Sequence, residues 1–235
     1  MSVHAVLLAA GSGKRFGAKK QFLDLSGKPV FIHSLSLFQQ STCIDDVLCV
    51  VPKADLVFAK NQISEYALSK VKTVLAGGAT RQASVANALA YLELEKPAED
   101  IVLVHDGARP LLNGDLLARL VAEARSCGAA VAARPVTDSL KRVSEAGVIQ
   151  KTLPREGIWA MQTPQVFRRS VLAKAHRRAA LEGFFATDEA MLVERLGVPI
   201  SCIEGPPENI KITTAFDLRM AEIFLQQTPD AVLPS

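Results

Sequence analysis

Largely apolar, strand-like runs at 3–10, 47–51, 71–75, 101–105 and 129–133 alternate along the chain with stretches whose apolar residues recur every three or four positions. A run with no polar side has no solvated face, so these runs predict strands covered on both sides. The periodic stretches predict helices at about 29–40, opened by Pro29, and at about 54–68, 80–94 and 115–126. The last of these carries Leu116, Leu117, Leu120, Val121 and Ala124 on one face. Strand–helix alternation of this kind predicts an α/β fold with a mainly parallel sheet between helices. In such sheets ligands collect at the carboxyl ends of the strands. The loop after the first strand, the Gly77-Gly78 loop and the His105-Asp106 segment all fall on that edge.

The pattern breaks at 134–157. Two mostly polar strand-like segments flank the turn Glu145-Ala146-Gly147, which predicts a β-hairpin poor in core residues. An isolated hairpin is marginally stable, so this one needs a surface to lean on, and a second subunit is the natural candidate. Helices follow at about 169–181 and 188–196, then a strand near 199–203, a short strand at 210–213 and a closing helix at 215–227. The expected organisation is one domain over 1–235, with 134–157 as a β-arm.

Composition narrows the classes. A chain of 235 residues buries enough surface to fold without staples. Its formal net charge of +3 argues against a bulk nucleic-acid binder. Cys43, Cys49, Cys127 and Cys202 form no C-x-x-C pair and read as reduced, mostly buried small hydrophobes, which suggests a cytoplasmic protein. The run at 6–10 is too short for a signal peptide and lacks a basic flank. No apolar run approaches the length of a membrane span.

The segment Gly11-Ser12-Gly13-Lys14-Arg15-Phe16-Gly17-Ala18-Lys19-Lys20 combines three glycines with four cations. Glycines let backbone N–H groups approach and face an anion, and the cations add charge, so the loop suits a polyphosphate. The bland alternative is a solvated basic loop. It is not a dinucleotide fingerprint, because Gly17 comes one residue late and no acid ends the second strand. Nor is it a P-loop, since Ala18 stands where the lysine belongs. Asp106, at the end of the fourth strand, is placed to hold Mg²⁺ beside phosphates, because Mg²⁺ takes only one or two protein carboxylates. His105 reads as structural. Thr187-Asp188-Glu189 reads as a helix cap with acids in the first turn. Lys211, set between two isoleucines, is expected to face a cavity or water.

Six blocks in order resemble a single family. They are Ala9-Ala10-Gly11-Ser12-Gly13-Lys14-Arg15, Lys20-Gln21-Phe22, Gly77-Gly78 with Arg81-Gln82 and Ser84-Val85, His105-Asp106-Gly107-Ala108-Arg109-Pro110, Gln162-Thr163-Pro164-Gln165, and Glu208-Asn209-Ile210-Lys211-Ile212-Thr213. Together they are similar to the 2-C-methyl-D-erythritol 4-phosphate cytidylyltransferases of the non-mevalonate isoprenoid pathway. The resemblance implies a Rossmann-like nucleotidyltransferase with a protruding β-hairpin arm, acting on CTP and methylerythritol phosphate with Mg²⁺ as cofactor. It implies catalytic roles for Arg15, Lys20 and Lys211, and nucleotide contacts from Ala9, Ala10, Gly11, Ser12, Gly13, Gly77, Gly78, Ser84 and Asp106. Asp106 is also the implied metal residue. Arg109, Ser139, Arg155 and Thr163 would hold methylerythritol phosphate. A homodimer through the arm is implied, in which Ser139 and Arg155 reach a partner's site. Ser139 stands where relatives often carry threonine, and Ala79 and Ala83 stand where some carry polar or acidic residues.

Three other readings share parts of this pattern: a ribitol 5-phosphate cytidylyltransferase, a sugar-phosphate nucleotidyltransferase using another base, and a non-catalytic CTP-binding regulator. Arg155 and the His105–Arg109 block favour the methylerythritol branch. A regulator would have no use for a transition-state clamp of Arg15, Lys20 and Lys211.

Overall fold

The computed structural model describes residues 1–11, 18–95 and 100–227. Its elements in chain order are β1 (Val3–Leu8), β2 (Asp24–Leu25), β3 (Lys28–Pro29), α1 (Val30–Gln40), β4 (Asp46–Val51), α2 (Leu56–Glu65), β5 (Val71–Ala76), α3 (Arg81–Glu95), β6 (Ile101–Asp106), α4 (Gly114–Cys127), β7 (Ala129–Pro135), β8 (Leu140–Val143), β9 (Ile149–Leu153), β10 (Trp159–Arg168), α5 (Arg169–Glu182), α6 (Glu189–Glu194), β11 (Ser201–Glu204) and α7 (Ala215–Gln227).

Seven strands form one sheet in the order β11-β7-β10-β6-β1-β4-β5. β1 pairs in parallel with β4 and β6, β4 with β5, and β7 with β11, whereas β10 runs antiparallel between β6 and β7. The central strands sort their side chains by parity, as the two-residue period of a strand requires. Val3, Ala5 and Leu7 of β1 join Phe31, Ile32, Leu35 and Phe38 of α1 and Leu117, Leu120 and Val121 of α4. Val6 of the same strand joins Val85, Ala88 and Leu92 of α3, Leu172 of α5 and Val193 of α6. Both faces are therefore covered, which is why the strand sequences read as largely apolar runs. The end signals of α4 act as its sequence suggests. Asn113 Oδ1 accepts from Leu116 N at 2.9 Å, and Gly128 takes φ 94°, where a side chain would be strained.

Two expectations change. The 210–213 segment is not a strand of the sheet; it is fixed by Ile212 N donating to Ala108 O and by the buried Asn209 side chain. The sheet instead gains β10, whose interior Gln162-Thr163-Pro164-Gln165 hides it as a strand. The β10–β7 register shifts between Met161 and Gln165, so an irregularity accommodates the proline, and the Thr163–Pro164 peptide bond is cis.

β8 and β9 make a separate two-stranded sheet. The hairpin leaves the main sheet at the Trp159–Pro135 pair, with Val136 N donating to Ile158 O at its root. Its turn closes through Gly147, at φ 78°. Of the cysteines, all four free, only Cys49 is fully buried; Cys43 is half-buried, and Cys127 and Cys202 are exposed. The expectation of mostly buried cysteines is therefore corrected: Cys49 alone of the four is buried, on a covered strand, while Cys127 and Cys202 lie on the surface. No helix among the described residues is long and apolar enough to cross a membrane.

Candidate active site

The carboxyl edge of the sheet is built by close backbone packing. Ala9 N donates to Val50 O, Gly107 N to Leu8 O, and Gly77 N to Val51 O, which ties the loops after β1, β6 and β5 together. Glycine is required here by proximity. A Cβ on Gly77 would lie 2.4 Å from Ala10 Cβ, and one on Gly78 would lie 2.5 Å from Ala83 Cβ. Ala83 thus packs against the glycine loop. The Ser84 hydroxyl accepts from Gly78 N at 3.1 Å and donates to Thr80 O at 2.9 Å, stapling the loop to α3. Gln21 Nε2 donates to Ala9 O at 2.8 Å and to Gly11 O at 2.9 Å, clamping both sides of Ala10. Ser12, Gly13, Lys14 and Arg15 lie outside the described residues. Lys20 opens a short turn over Lys20–Phe22 and is half-buried, while its neighbour Lys19 is turned away to Asp55 at 2.7 Å.

Asp106 is the centre of the site. The residue is 7% exposed, and its carboxylate accepts from Lys211 Nζ on Oδ2 at 2.6 Å and from Arg81 Nε on Oδ1 at 3.2 Å. Burial alone would raise this carboxyl, but the cations of Arg81 and Lys211 hold it well below the usual carboxylate range. Arg81 in turn donates through Nη1 to both oxygens of Glu189, at 2.7 and 2.6 Å. Four charges of alternating sign therefore run Glu189, Arg81, Asp106, Lys211.

A neutral network supports this row from below. Asp106 N donates to Thr163 Oγ1 at 3.1 Å, and Thr163 Oγ1 meets His105 Nδ1 at 3.0 Å. His105 Nε2 faces Arg109 O at 3.0 Å. A carbonyl can only accept, so Nε2 carries the proton and Nδ1 accepts from the threonine hydroxyl. Burial pushes the His105 pKa down to about 4, in keeping with this neutral tautomer. His105 is structural, as its sequence position suggests. Thr163, expected at the substrate, has its hydroxyl engaged on both sides by protein groups and is buried.

Arg109 Nη1 donates to Asn209 O, and Asn209 Nδ2 donates to Gln162 Oε1 and Thr163 O. This fixes the segment that carries Lys211. Arg109 Nε is buried without a hydrogen-bond partner. The structure thus brings Asp106, Arg109, Thr163 and Lys211 together beside the Ala9–Gly11 and Gly77-Gly78 backbones. Ser139 and Arg155 stand exposed on the arm, where Arg155 Nη1 donates to Thr137 O. Arg81, Glu189, Gln21 and Asn209 escape a residue-by-residue reading, although all but Glu189 lie inside the six motif blocks.

Magnesium keeps most of its waters and takes one or two protein carboxylates. Asp106 supplies one, and although each oxygen serves a cation, each retains a further lone pair. Among the described residues no group of three or more His, Cys, Asp or Glu side chains could hold a metal. The donor set fits an ion carried in on a triphosphate rather than an all-protein cage.

Known proteins resemble this chain over nearly its whole length. A family model described as IspD, 2-C-methyl-D-erythritol 4-phosphate cytidylyltransferase, matches residues 3–227. A protein of that name from Dehalococcoides mccartyi strain 195 is 47% identical over 226 residues, covering 96% of each chain. Another from Syntrophus aciditrophicus is 42% identical over 228 residues, again covering 96% of each. Among solved structures, the Thermus thermophilus enzyme of the same name superposes with a TM-score of 0.77 at 35% identity, covering 96% of this chain and 100% of that one. The Francisella tularensis enzyme gives 0.82 at 31%, covering 95% and 99%. With the whole sheet, its reversed strand and the motif-bearing loops inside the matched region, this chain belongs to the 2-C-methyl-D-erythritol 4-phosphate cytidylyltransferase family.

Proposed function

We propose that this chain transfers a cytidylyl group from CTP to 2-C-methyl-D-erythritol 4-phosphate, releasing pyrophosphate, in isoprenoid precursor biosynthesis. The observation that carries the reading is the Asp106 cluster, with Lys211 held at its rim directly beside the glycine-lined edge. A phosphate oxygen of the acceptor attacks the α-phosphorus of CTP. The new P–O bond forms as the bond to the β-phosphate breaks, and pyrophosphate departs. The attacking phosphate is already mostly ionised near pH 7, its second pKa being about 6, so no general base is required. The obstacle is the approach of two anions, which repel by roughly 4 kcal/mol at 4 Å and an effective dielectric near 20. Positioning and preorganised positive charge must offset this.

Lys211 sits between the α-phosphate and the incoming phosphate in this proposal, and Lys20 with Arg15 grips the triphosphate. Asp106 keeps the Lys211 ammonium in place and faces the ribose side of the nucleotide. Ala9, Ala10, Gly11, Ser12, Gly13, Gly77 and Gly78 line the cytidine through main-chain groups, with Ser84 stapling that loop. Arg109 receives the methylerythritol phosphate, while Thr163 sets the Asp106 main chain beneath it. Asp106 would hold Mg²⁺, which would supply positive charge against the charge gathering on the leaving pyrophosphate.

The domain is one catalytic unit in this reading, and the arm over 134–157 joins two copies. Support comes from Val143, Val148 and Ile149, which are 50%, 63% and 62% exposed on the arm, an apolar load unusual for a free hairpin. Ser139 and Arg155 would then complete the partner's acceptor site. Four free cysteines suit a reducing, cytoplasmic setting.

The test is pyrophosphate release with CTP and Mg²⁺, comparing methylerythritol 4-phosphate with ribitol 5-phosphate. Release with the first alone is expected. Release with the second alone would move the chain to the sister reaction, and CTP binding without release under either would make it a regulator. The relatives named above carry the methylerythritol name, which favours the methylerythritol reading.

A further inference from the structure

We propose that Glu189 is a positioning residue for the transfer reaction: through Arg81 it fixes the Asp106 carboxylate and thereby the place of the Lys211 ammonium. This rests on the function proposed above. Glu189 is 1% exposed, and a buried carboxylate must be paired. It holds Arg81 Nη1 at 2.6–2.7 Å, and in that pose Nε donates to a single Asp106 oxygen at 3.2 Å while Nη2 stays buried without a hydrogen-bond partner. The other Asp106 oxygen is thereby left to Lys211, at 2.6 Å. Without the Glu189 charge, the preferred arrangement of Arg81 is a two-pronged pair with Asp106, the ordinary geometry of guanidinium and carboxylate. That arrangement competes with Lys211 for the same carboxylate.

The place of Glu189 is itself over-determined. Gln82 Nε2 donates to Phe184 O, and its Oε1 accepts from Ala186 N. Gln165 Nε2 donates to Asp188 Oδ2, and its Oε1 accepts from Ala190 N. Asp188 Oδ1 caps α6 by accepting from Met191 N. The side-chain amides of α3 and β10 thus clamp the backbone on both sides of Glu189. Arg81, Gln82 and Gln165 all lie in the motif blocks, and all three serve this one segment. An acid that merely capped α6 would need none of these, since Asp188 already fills the cap.

The experiment compares Glu189→Gln, Arg81→Gln and the double variant, by steady-state kinetics and by the acylation rate of Lys211 with acetic anhydride, read by mass spectrometry. Glu189→Gln is expected to lower kcat by about tenfold or more, the scale on which small misplacements act, with KM for CTP little changed. Lys211, less firmly held, is expected to acylate severalfold faster. The double variant leaves no orphaned buried charge, so it folds even where the single variant does not. It is expected to lose no more kcat than Arg81→Gln alone, because Glu189 acts through Arg81. Unchanged Lys211 acylation in both variants, or losses in kcat that multiply, would overturn the proposal. If the wild type releases no pyrophosphate with methylerythritol phosphate, the reading of function fails, and the acylation rates still decide the role of Glu189.

Discussion

At the scale of single residues, the site depends on charges that neutralise one another without cancelling their effect on a ligand. Lys211 is anchored by one carboxylate oxygen and remains about one-third exposed, so its ammonium faces both Asp106 and the open edge. Replacing Lys211 or Lys20 by alanine is expected to lower kcat by on the order of 10²-fold or more, as loss of a preorganised charge contact does. Near-normal turnover in either variant would remove that residue from the mechanism. His105 and His176 carry a different prediction. Burial lowers both pKa values to about 4, against an ordinary 6.5. The unfolded chain therefore binds protons from about pH 6.5 downward while the native state does not, and stability falls as pH drops from 6.5 toward 4. Each group accounts for a loss of on the order of 3 kcal/mol by the lower limit. Urea unfolding at pH 7.5, 6 and 4.5 checks this; a flat profile would show that both rings take up protons in the fold as readily as in the unfolded chain. Asp106 and Lys211 were legible as chemistry because their sequence neighbours are distinctive. Glu189 was not, because Thr187-Asp188-Glu189 is fully accounted for as a capping sequence, and its partner Arg81 is 108 residues away. A long-range ion pair leaves no local pattern.

At the scale of elements, the doubly covered strands were legible because burial on both faces writes an unmistakable run of apolar residues. β10 was not, since its middle is made of glutamines, a threonine and a proline that serve the site rather than the core. The alternation of Ile210 and Ile212 has the opposite outcome: it looks like a strand, yet only Ile212 is buried, against Leu25 and Val30. The Gly77 loop shows how tightly these elements meet. Gly77→Ala places a methyl group 2.4 Å from Ala10 Cβ, a contact that cannot persist. The loops after β1 and β5 must separate, at a cost of about 1–3 kcal/mol in stability. Weaker CTP binding by calorimetry, together with a lower Tm, is the expected result. Wild-type affinity would mean that the cytidine lies elsewhere.

For the whole molecule, the exposed apolar arm predicts a homodimer, measurable as twice the chain mass by light scattering at micromolar concentration. Substituting Val148 and Ile149 by serine is expected to weaken the dimer, since each apolar side chain removed from water contributes roughly 1.5 kcal/mol or more. A wild type that stays monomeric would remove the arm from any role in assembly. Sequence patterning was enough to isolate this hairpin, because it lacks a core of its own, but the strand that carries it back to the sheet was hidden by polar residues.

That returning strand has a mechanical consequence. The arm re-enters the sheet at Trp159, and Thr163, which sets the Asp106 main chain, lies four positions further along the same β10. At about 3.3 Å per residue, only some 13 Å of strand separates the root of the arm from the centre of the site. No flexible linker intervenes. A homodimer gripped through the hairpin is therefore expected to tie its assembly to the alignment of the carboxylate, because both lie on one strand.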